Sequence, residues 1–91
     1  MSVTLSLPTV LARLTDGQAT LEASGTTVGE VVTDVAGQFP RLAPRLRDER
    51  GSPYPFVAFY LNDRDSRFLG GFEAPVNEGD EITVVLAAAG G

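Results

Sequence analysis

The chemistry open to this chain is limited by the residue types that it lacks. Among its 91 residues there is no histidine and no cysteine. A histidine general base, a cysteine nucleophile, a Ser-His-Asp relay and a structural zinc site are therefore excluded within the chain. The 12 acidic residues are scattered along the sequence, so we predict no metal site. We also expect no bound cofactor.

The segment Ala87-Ala88-Ala89-Gly90-Gly91 differs from the rest because it has no polar side chain. Nothing in it can cap, bridge or anchor a chain end, so we expect a flexible tail, 87–91, after a folded domain, 1–86. A Gly-Gly ending alone is weak evidence, because a frayed end or a cloning remnant has the same sequence.

Composition and charge restrict the class of partner. The chain is 43% hydrophobic and 21% charged, which is typical of one ordinary soluble domain. Its net charge of −5 argues against nucleic acid and anionic membrane as partners, since both are bound through basic patches. The N-terminus has no signal-peptide pattern, and no apolar run is long enough to span a bilayer. The absence of cysteine fits a cytoplasmic location.

Two alternating runs predict an N-terminal hairpin. In 3–7, Val3, Leu5 and Leu7 alternate with polar residues, as in a half-buried strand. A similar run covers 19–23, with Leu21 at its centre. We expect the apolar residues between the runs, in 10–14, to belong to a wide loop.

One amphipathic helix is predicted over 27–39. Thr27 followed by Glu30 matches a capping box. Apolar residues then recur at helical spacing and form one continuous stripe; they are Val28, Val31, Val32, Val35, Ala36 and Phe39. Because valine is a mediocre helix former, this helix needs a sheet to pack against. Pro40 ends it.

The second half of the chain predicts three more strands. Residues 40–55 suggest a loop with one short turn near 42–46, and 56–61 form an aromatic and β-branched strand. We predict a turn at 62–65, a short extended piece at 67–69 and a last strand at 81–86. The pattern is α+β: a mixed sheet of four or five strands packed on one main helix.

Strand alternation also suggests an exposed patch. If Val57, Phe59 and Leu61 point inward, Phe56 and Tyr60 lie on the opposite face beside Val85. These three are either ordinary exposed residues or a docking surface for a partner, since aromatic side chains are enriched at interfaces.

Taken together, these features resemble the ubiquitin-like sulfur carriers, which include the small subunit of molybdopterin synthase and the thiamine sulfur carrier. The resemblance lies in the strand 57–61 followed by Asn62-Asp63, in the run 78–84 with its Gly79-Asp80 turn, and in the ending Ala89-Gly90-Gly91. In length, and in 56–62 and 68–71, the chain is most similar to the actinobacterial carriers that serve cysteine biosynthesis. It departs from many relatives in having no proline just before the tail.

The resemblance implies a β-grasp (ubiquitin-like) fold and a role as a carrier rather than an enzyme. An E1-like activating enzyme would use ATP to adenylate the Gly91 carboxylate, and a sulfur donor would convert it into a thiocarboxylate. A biosynthetic enzyme, such as a cysteine synthase or a thiosugar synthase, would accept the sulfur. Partners would recognise Ala89, Gly90 and Gly91, and dock on Phe56, Tyr60 and Val85. The free carrier is expected to be a monomer.

Three other functions remain open from the sequence. A ubiquitin-like protein modifier shares the fold, the activation and the Gly-Gly ending, although the absence of lysine rules out self-linked lysine chains. A dedicated small subunit of molybdopterin synthase would keep its tail in one active site. A β-grasp binding module would have no tail chemistry.

Overall fold

The computed structural model describes residues 2–52, 54 and 56–86. Its strands are β1 (Ser2–Ser6), β2 (Thr20–Ser24), β3 (Val57–Leu61), β4 (Arg64–Asp65) and β5 (Glu81–Leu86), and its α-helices are α1 (Thr9–Ala12), α2 (Val28–Gln38) and α3 (Ala43–Leu46). All five strands belong to one sheet with the order β2-β1-β5-β3-β4. The sheet is mixed, because β1 and β5 are parallel while the other neighbours are antiparallel. The predicted α+β architecture is confirmed.

The N-terminal hairpin forms as predicted, with a different connection. Strands β1 and β2 pair from Ser2↔Ser24 to Ser6↔Thr20, and Val3, Leu5 and Leu7 are buried. The connection is not the wide loop that the sequence suggests. It consists of α1 and a 3-10 turn, Arg13–Thr15, because burying Leu11 fixes the backbone there.

Helix α2 matches the predicted stripe, and one half of the predicted cap is confirmed. The stripe residues of α2 are buried, from Val28 to Ala36, and Phe39 packs partly buried against the same core. The Thr27 hydroxyl accepts a hydrogen bond from the Glu30 amide, as in a capping box. The Glu30 carboxylate, however, accepts from the amide and hydroxyl of Thr26, so the reciprocal half of the cap is shifted by one residue.

The segment after α2 is anchored by Leu42 and Leu46. The short turn predicted at 42–46 is present as α3, and both leucines are fully buried. Burying these side chains stabilises this otherwise irregular segment by roughly 3–6 kcal/mol relative to leaving them exposed.

The prediction of a short strand at 67–69 is wrong. The chain turns at Asn62-Asp63 and returns at once as β4, whose Arg64 pairs with Leu61. Residues Ser66–Phe68 form a 3-10 turn instead. The reversal starts at Asn62, which has a left-handed φ of 56°; asparagine tolerates this conformation better than most residues.

Strand β5 lies at the centre of the sheet. It is hydrogen-bonded to β1 on one side and to β3 on the other, and its Ile82 and Val84 belong to the buried core. The pairing with β1 covers 81–83 and the pairing with β3 continues to Leu86, so β3 is the neighbour that positions the end of β5.

Candidate functional site

The candidate site is the end of β5 at which the predicted tail begins. Gly91, Gly90 and Ala89 lie outside the described residues, as does the predicted tail segment as a whole. Leu86 pairs with Val57 at the start of β3. Strand β5 therefore ends beside the start of β3, where residues of α1 and α3 also lie.

The structure separates the three residues predicted to form one docking patch. Tyr60 and Val85 lie together: both line an open surface hollow of about 370 Å³, which Thr83 of β5 also lines. Phe56 does not join them. It precedes β3, stacks on Tyr54 with ring centroids 5.0 Å apart, and lines a different hollow. The predicted patch is thus two neighbouring surfaces.

The hollow beside Phe56 has a volume of about 520 Å³. We call it the Leu86 hollow, because Leu86 forms part of its wall. Its other apolar walls come from α1 and the 3-10 turn (Val10, Leu14) and from the segment before β3 (Tyr54, Phe56). Val10 is 57% exposed and Phe56 is 52% exposed. Two large apolar side chains are therefore left open to solvent beside the start of the tail.

Two arginines, Arg13 and Arg45, also line the Leu86 hollow. Both side chains are exposed. In the part of the chain that the structure describes, neither guanidinium donates a hydrogen bond or forms an ion pair. An apolar hollow with two cations and no described counter-ion favours a ligand that is apolar along its length and negatively charged at one point.

Sequence reasoning does not predict the Leu86 hollow. The sequence pattern places Val10 and Leu14 in a loop, and Tyr54 in a proline-rich connection. Residues near 10, 45, 54 and 86 meet only after folding, so no local pattern connects them. One signal is available in the sequence: 10–14 contains more apolar residues than a solvated loop needs, which indicates that this segment packs against something.

Two carboxylates have lowered pKa values, and both belong to local turns. Hydrogen bonds from the Thr26 amide and hydroxyl lower the pKa of Glu30. Hydrogen bonds from the Arg67 side chain, which forms an ion pair with Asp65, and from the Arg67 amide lower the pKa of Asp65. Each bond stabilises the ionised form. Both groups therefore hold structure, α2 and the turn after β4, rather than serving as acids or bases.

The described residues offer no candidate metal site. Within 2–52, 54 and 56–86 there is no cluster of three or more potential metal ligands. Among the helices of the same segments, none has the length and apolarity to cross a membrane.

Comparison with known proteins identifies the family. The model of the ThiS family matches residues 5–91. The sulfur carrier protein CysO of Mycobacterium tuberculosis is 41% identical over 93 residues, which cover 100% of this chain and 100% of that protein.

Two solved structures share the fold. The crystal structure of M. tuberculosis CysO superposes with a TM-score of 0.88 at 39% identity, covering 94% of this chain and 99% of that one. The crystal structure of the BexX/CysO complex of Amycolatopsis orientalis gives a TM-score of 0.90 at 43% identity, covering 98% of this chain and 99% of that chain. These matches confirm the β-grasp fold and the resemblance seen in the sequence. The chain belongs to the ThiS family of ubiquitin-like sulfur carriers.

Proposed function

We infer that this chain is a sulfur carrier that transports sulfur as a thiocarboxylate on Gly91. The observation that carries the proposal is the 41% identity to the sulfur carrier CysO across the whole of both chains. The Ala89-Gly90-Gly91 ending and the position of β5 support it.

The proposed reaction takes place on the tail and uses groups from other proteins. An activating enzyme joins the Gly91 carboxylate to the α-phosphate of ATP, releasing pyrophosphate and forming an acyl-adenylate. Sulfide then attacks the acyl carbon, and the new C–S bond replaces the bond to AMP, which leaves; loss of the thiol proton gives the thiocarboxylate without any change of oxidation state. ATP is consumed by the activating enzyme, and the carrier holds no cofactor of its own.

The geometry of β5 supports a carrier that only presents its tail, while partner enzymes supply the catalytic groups. The strand is paired with β1 at 81–83 and stays in register with β3 as far as Leu86, so the folded body sets the point from which the tail extends. Five extended residues reach about 17 Å at 3.3–3.6 Å each, enough to pass from a docked body into a buried active site. Glycine at positions 90 and 91 permits any φ and a close approach of the channel walls.

The carrier must dock on at least two enzymes, one that activates it and one that accepts the sulfur. The A. orientalis structure is that of a CysO protein in complex with BexX, which supports a partner complex for this chain as well. A cysteine synthase and a thiosugar synthase are the acceptors that we propose. Tyr60 and Val85, together with Phe56, are the proposed docking residues. A cytoplasmic location remains a prediction.

The proposal is tested by the intact mass of the carrier. The chain ending at Gly91 is incubated with an E1-like activating enzyme, ATP and a sulfide source. We expect the mass to increase by the exchange of one oxygen for one sulfur, and to return to its starting value when the acceptor enzyme and its substrate are added. The chain lacking Gly91 is the control and should not change.

Two results would contradict the proposal. One is a carrier that is adenylated but gains no sulfur. The other is a covalent adduct between the carrier and lysines of other proteins, which would indicate a ubiquitin-like modifier.

A further inference from the structure

The Leu86 hollow and the tail meet at Leu86, which forms part of the hollow and also precedes the tail. Besides Leu86, the hollow is lined by residues of α1, of the 3-10 turn after it, of α3 and of the segment before β3. The tail is therefore joined covalently to a residue that lines the hollow.

The chemistry of the tail complements that of the hollow. Residues 87–89 present three methyl groups and no polar side chain, which suits walls made by Val10, Tyr54 and Phe56. The one formal charge of the tail is the Gly91 carboxylate. The hollow supplies Arg13 and Arg45, and a planar guanidinium is the side chain best suited to bind a carboxylate with two hydrogen bonds.

The volume of the hollow and the length of the tail are both compatible with binding of the tail in the hollow. A hollow of about 520 Å³ is within the 300–1,000 Å³ range of sites that hold small molecules. The tail reaches about 17 Å when extended and less when bent, so Gly91 can reach an arginine whose neighbours form the same hollow as Leu86.

We propose that the Leu86 hollow is a binding site for the chain's own tail, in which Arg13 and Arg45 hold the Gly91 carboxylate of the free carrier. The proposal rests on the proposed function only in that Gly91 carries a free carboxylate or thiocarboxylate. Docking shields the terminal group and covers the exposed faces of Val10 and Phe56. Partner enzymes must then draw the tail out before they can act on it.

The docked tail exchanges with an undocked one. Ordering five residues costs backbone entropy, which opposes the burial of three methyl groups and the arginine–carboxylate contact. Salt weakens contacts between exposed charges, so added salt shifts the equilibrium towards the undocked tail.

Solution NMR on the isotopically labelled free carrier tests the proposal without any enzyme or sulfur donor. We expect nuclear Overhauser contacts between the methyl groups of 87–89 and the rings of Tyr54 and Phe56. In the double variant Arg13→Glu/Arg45→Glu these contacts should fall several-fold, and the amides of 87–91 should relax as in a free peptide. Arg41→Glu/Arg64→Glu reverses the charge of two exposed arginines that do not line the hollow; it is the matched control and should keep the contacts.

A second sample leaves every residue of the hollow unchanged. The same chain carrying a C-terminal amide loses only the negative charge of Gly91, and its contacts should fall like those of the double variant. If the double variant fails to fold, this sample still tests the role of the carboxylate.

Two outcomes would overturn the proposal. The first is a wild-type carrier without contacts between 87–89 and the two rings. The second is a set of contacts that persists unchanged both in the amidated chain and in the arginine variant. Neither outcome affects the mass test of sulfur transfer, so failure of this proposal is distinguishable from failure of the proposed function.

Discussion

The two ends of β5 are built differently. At the Glu81 end, polar groups hold the strand to its neighbours: the Asn62 side chain accepts from the Glu81 amide at 3.1 Å, and the Asn62 amide donates to the Glu81 carbonyl at 2.7 Å. The Asp80 carbonyl accepts from Thr4, which ties the same end to β1. At the Leu86 end, the described surroundings are the apolar walls of the Leu86 hollow and two arginines.

The contrast suggests that the two ends of β5 have different roles: the Glu81 end fixes the position of the strand in the sheet, and the Leu86 end serves the tail. Hydrogen bonds at the Glu81 end set the register of a strand that must be parallel to β1 and antiparallel to β3. The Leu86 end needs no such bonds, because the register is already fixed. Its residues are thus free to serve the tail, and variants at each end test whether the two ends can be changed independently.

The largest effect is expected from deleting Gly91. The deletion removes no contact of the described core, so thermal unfolding of the domain should be unchanged. Sulfur acceptance should be abolished, because the reacting carboxylate moves back by about 3.5 Å from the position at which an active site can use it. Intact mass after incubation with activating enzyme, ATP and sulfide measures this.

Adding one glycine after Gly91 is the matched control for length. It should also stop transfer unless a partner removes it, so its mass must be checked before and after the reaction. Sulfur delivery at the normal rate by an intact Gly91 deletion would show that the terminal position does not matter.

The next largest effect is expected on the stability of the domain when Asn62, which binds the Glu81 end of β5, is replaced. Asn62→Ala should destabilise the domain by roughly 2 kcal/mol, because it loses hydrogen bonds worth about 0.5–1.5 kcal/mol each and places alanine at a left-handed φ that costs about 1–2 kcal/mol. Asn62→Gly loses the same bonds but tolerates the φ of 56°, so its loss should be smaller. Urea unfolding measures both.

Both variants of Asn62 should accept sulfur normally under conditions in which they are folded. Impaired transfer by a fully folded Asn62→Gly protein would mean that the Glu81 end takes part in function, and the comparison between the two ends would fail.

A smaller effect is expected from the predicted docking residues. Phe56→Ala and Tyr60→Ala should each weaken binding to the activating enzyme about tenfold, or about 1.4 kcal/mol, with little change in thermal stability because neither side chain is fully buried. Calorimetric titration of each single variant shows whether a partner covers one hollow or both. A large loss of stability with unchanged affinity would assign these residues to the core instead.

The sequence predicts those parts of the fold that depend on local periodicity. The stripe of α2, the alternation of β1 and the strand β5 are each visible within about a dozen residues, because one face of each must be buried. Strand β4 cannot be predicted in this way, because a strand of two residues is too short to show an alternation of apolar and polar side chains. Thr27 caps α2 as predicted, but the Glu30 carboxylate accepts from Thr26 instead of Thr27, because adjacent threonines are equivalent in a sequence pattern and only the folded backbone distinguishes them.

The candidate site is predictable only in part. The Ala-Gly-Gly ending is a local signal, and it indicates the chemistry through resemblance to a family. The Leu86 hollow is assembled from α1, α3, the segment before β3 and the end of β5, which are distant in the sequence. Strand alternation groups Phe56 with Tyr60, but Phe56 precedes β3 and so does not follow that alternation.

The smallest effect is expected on the pH dependence of stability, and it involves carboxylates that are not at either end of β5. Hydrogen bonds from Thr26 lower the pKa of Glu30 below its ordinary value of 4.5. The unfolded chain therefore binds a proton at a higher pH than the folded one, so the stabilisation is fully present above pH 4.5 and is lost as the pH falls through the folded pKa. The same sign holds for Asp65, whose pKa is lowered from 3.8 by hydrogen bonds from Arg67.

Glu30→Gln should make the stability of the domain less dependent on pH below 4.5, because glutamine keeps an acceptor oxygen for Thr26 but does not titrate. The free energy of urea unfolding, measured at steps between about pH 3 and pH 6, gives the slope for each protein. Glu22→Gln is the matched control, since Glu22 lies on β2 and its carboxylate accepts no hydrogen bond from the described residues. An equally reduced slope in both variants would mean that the acid sensitivity arises from overall charge, since each variant removes one negative charge, and not from the cap of α2.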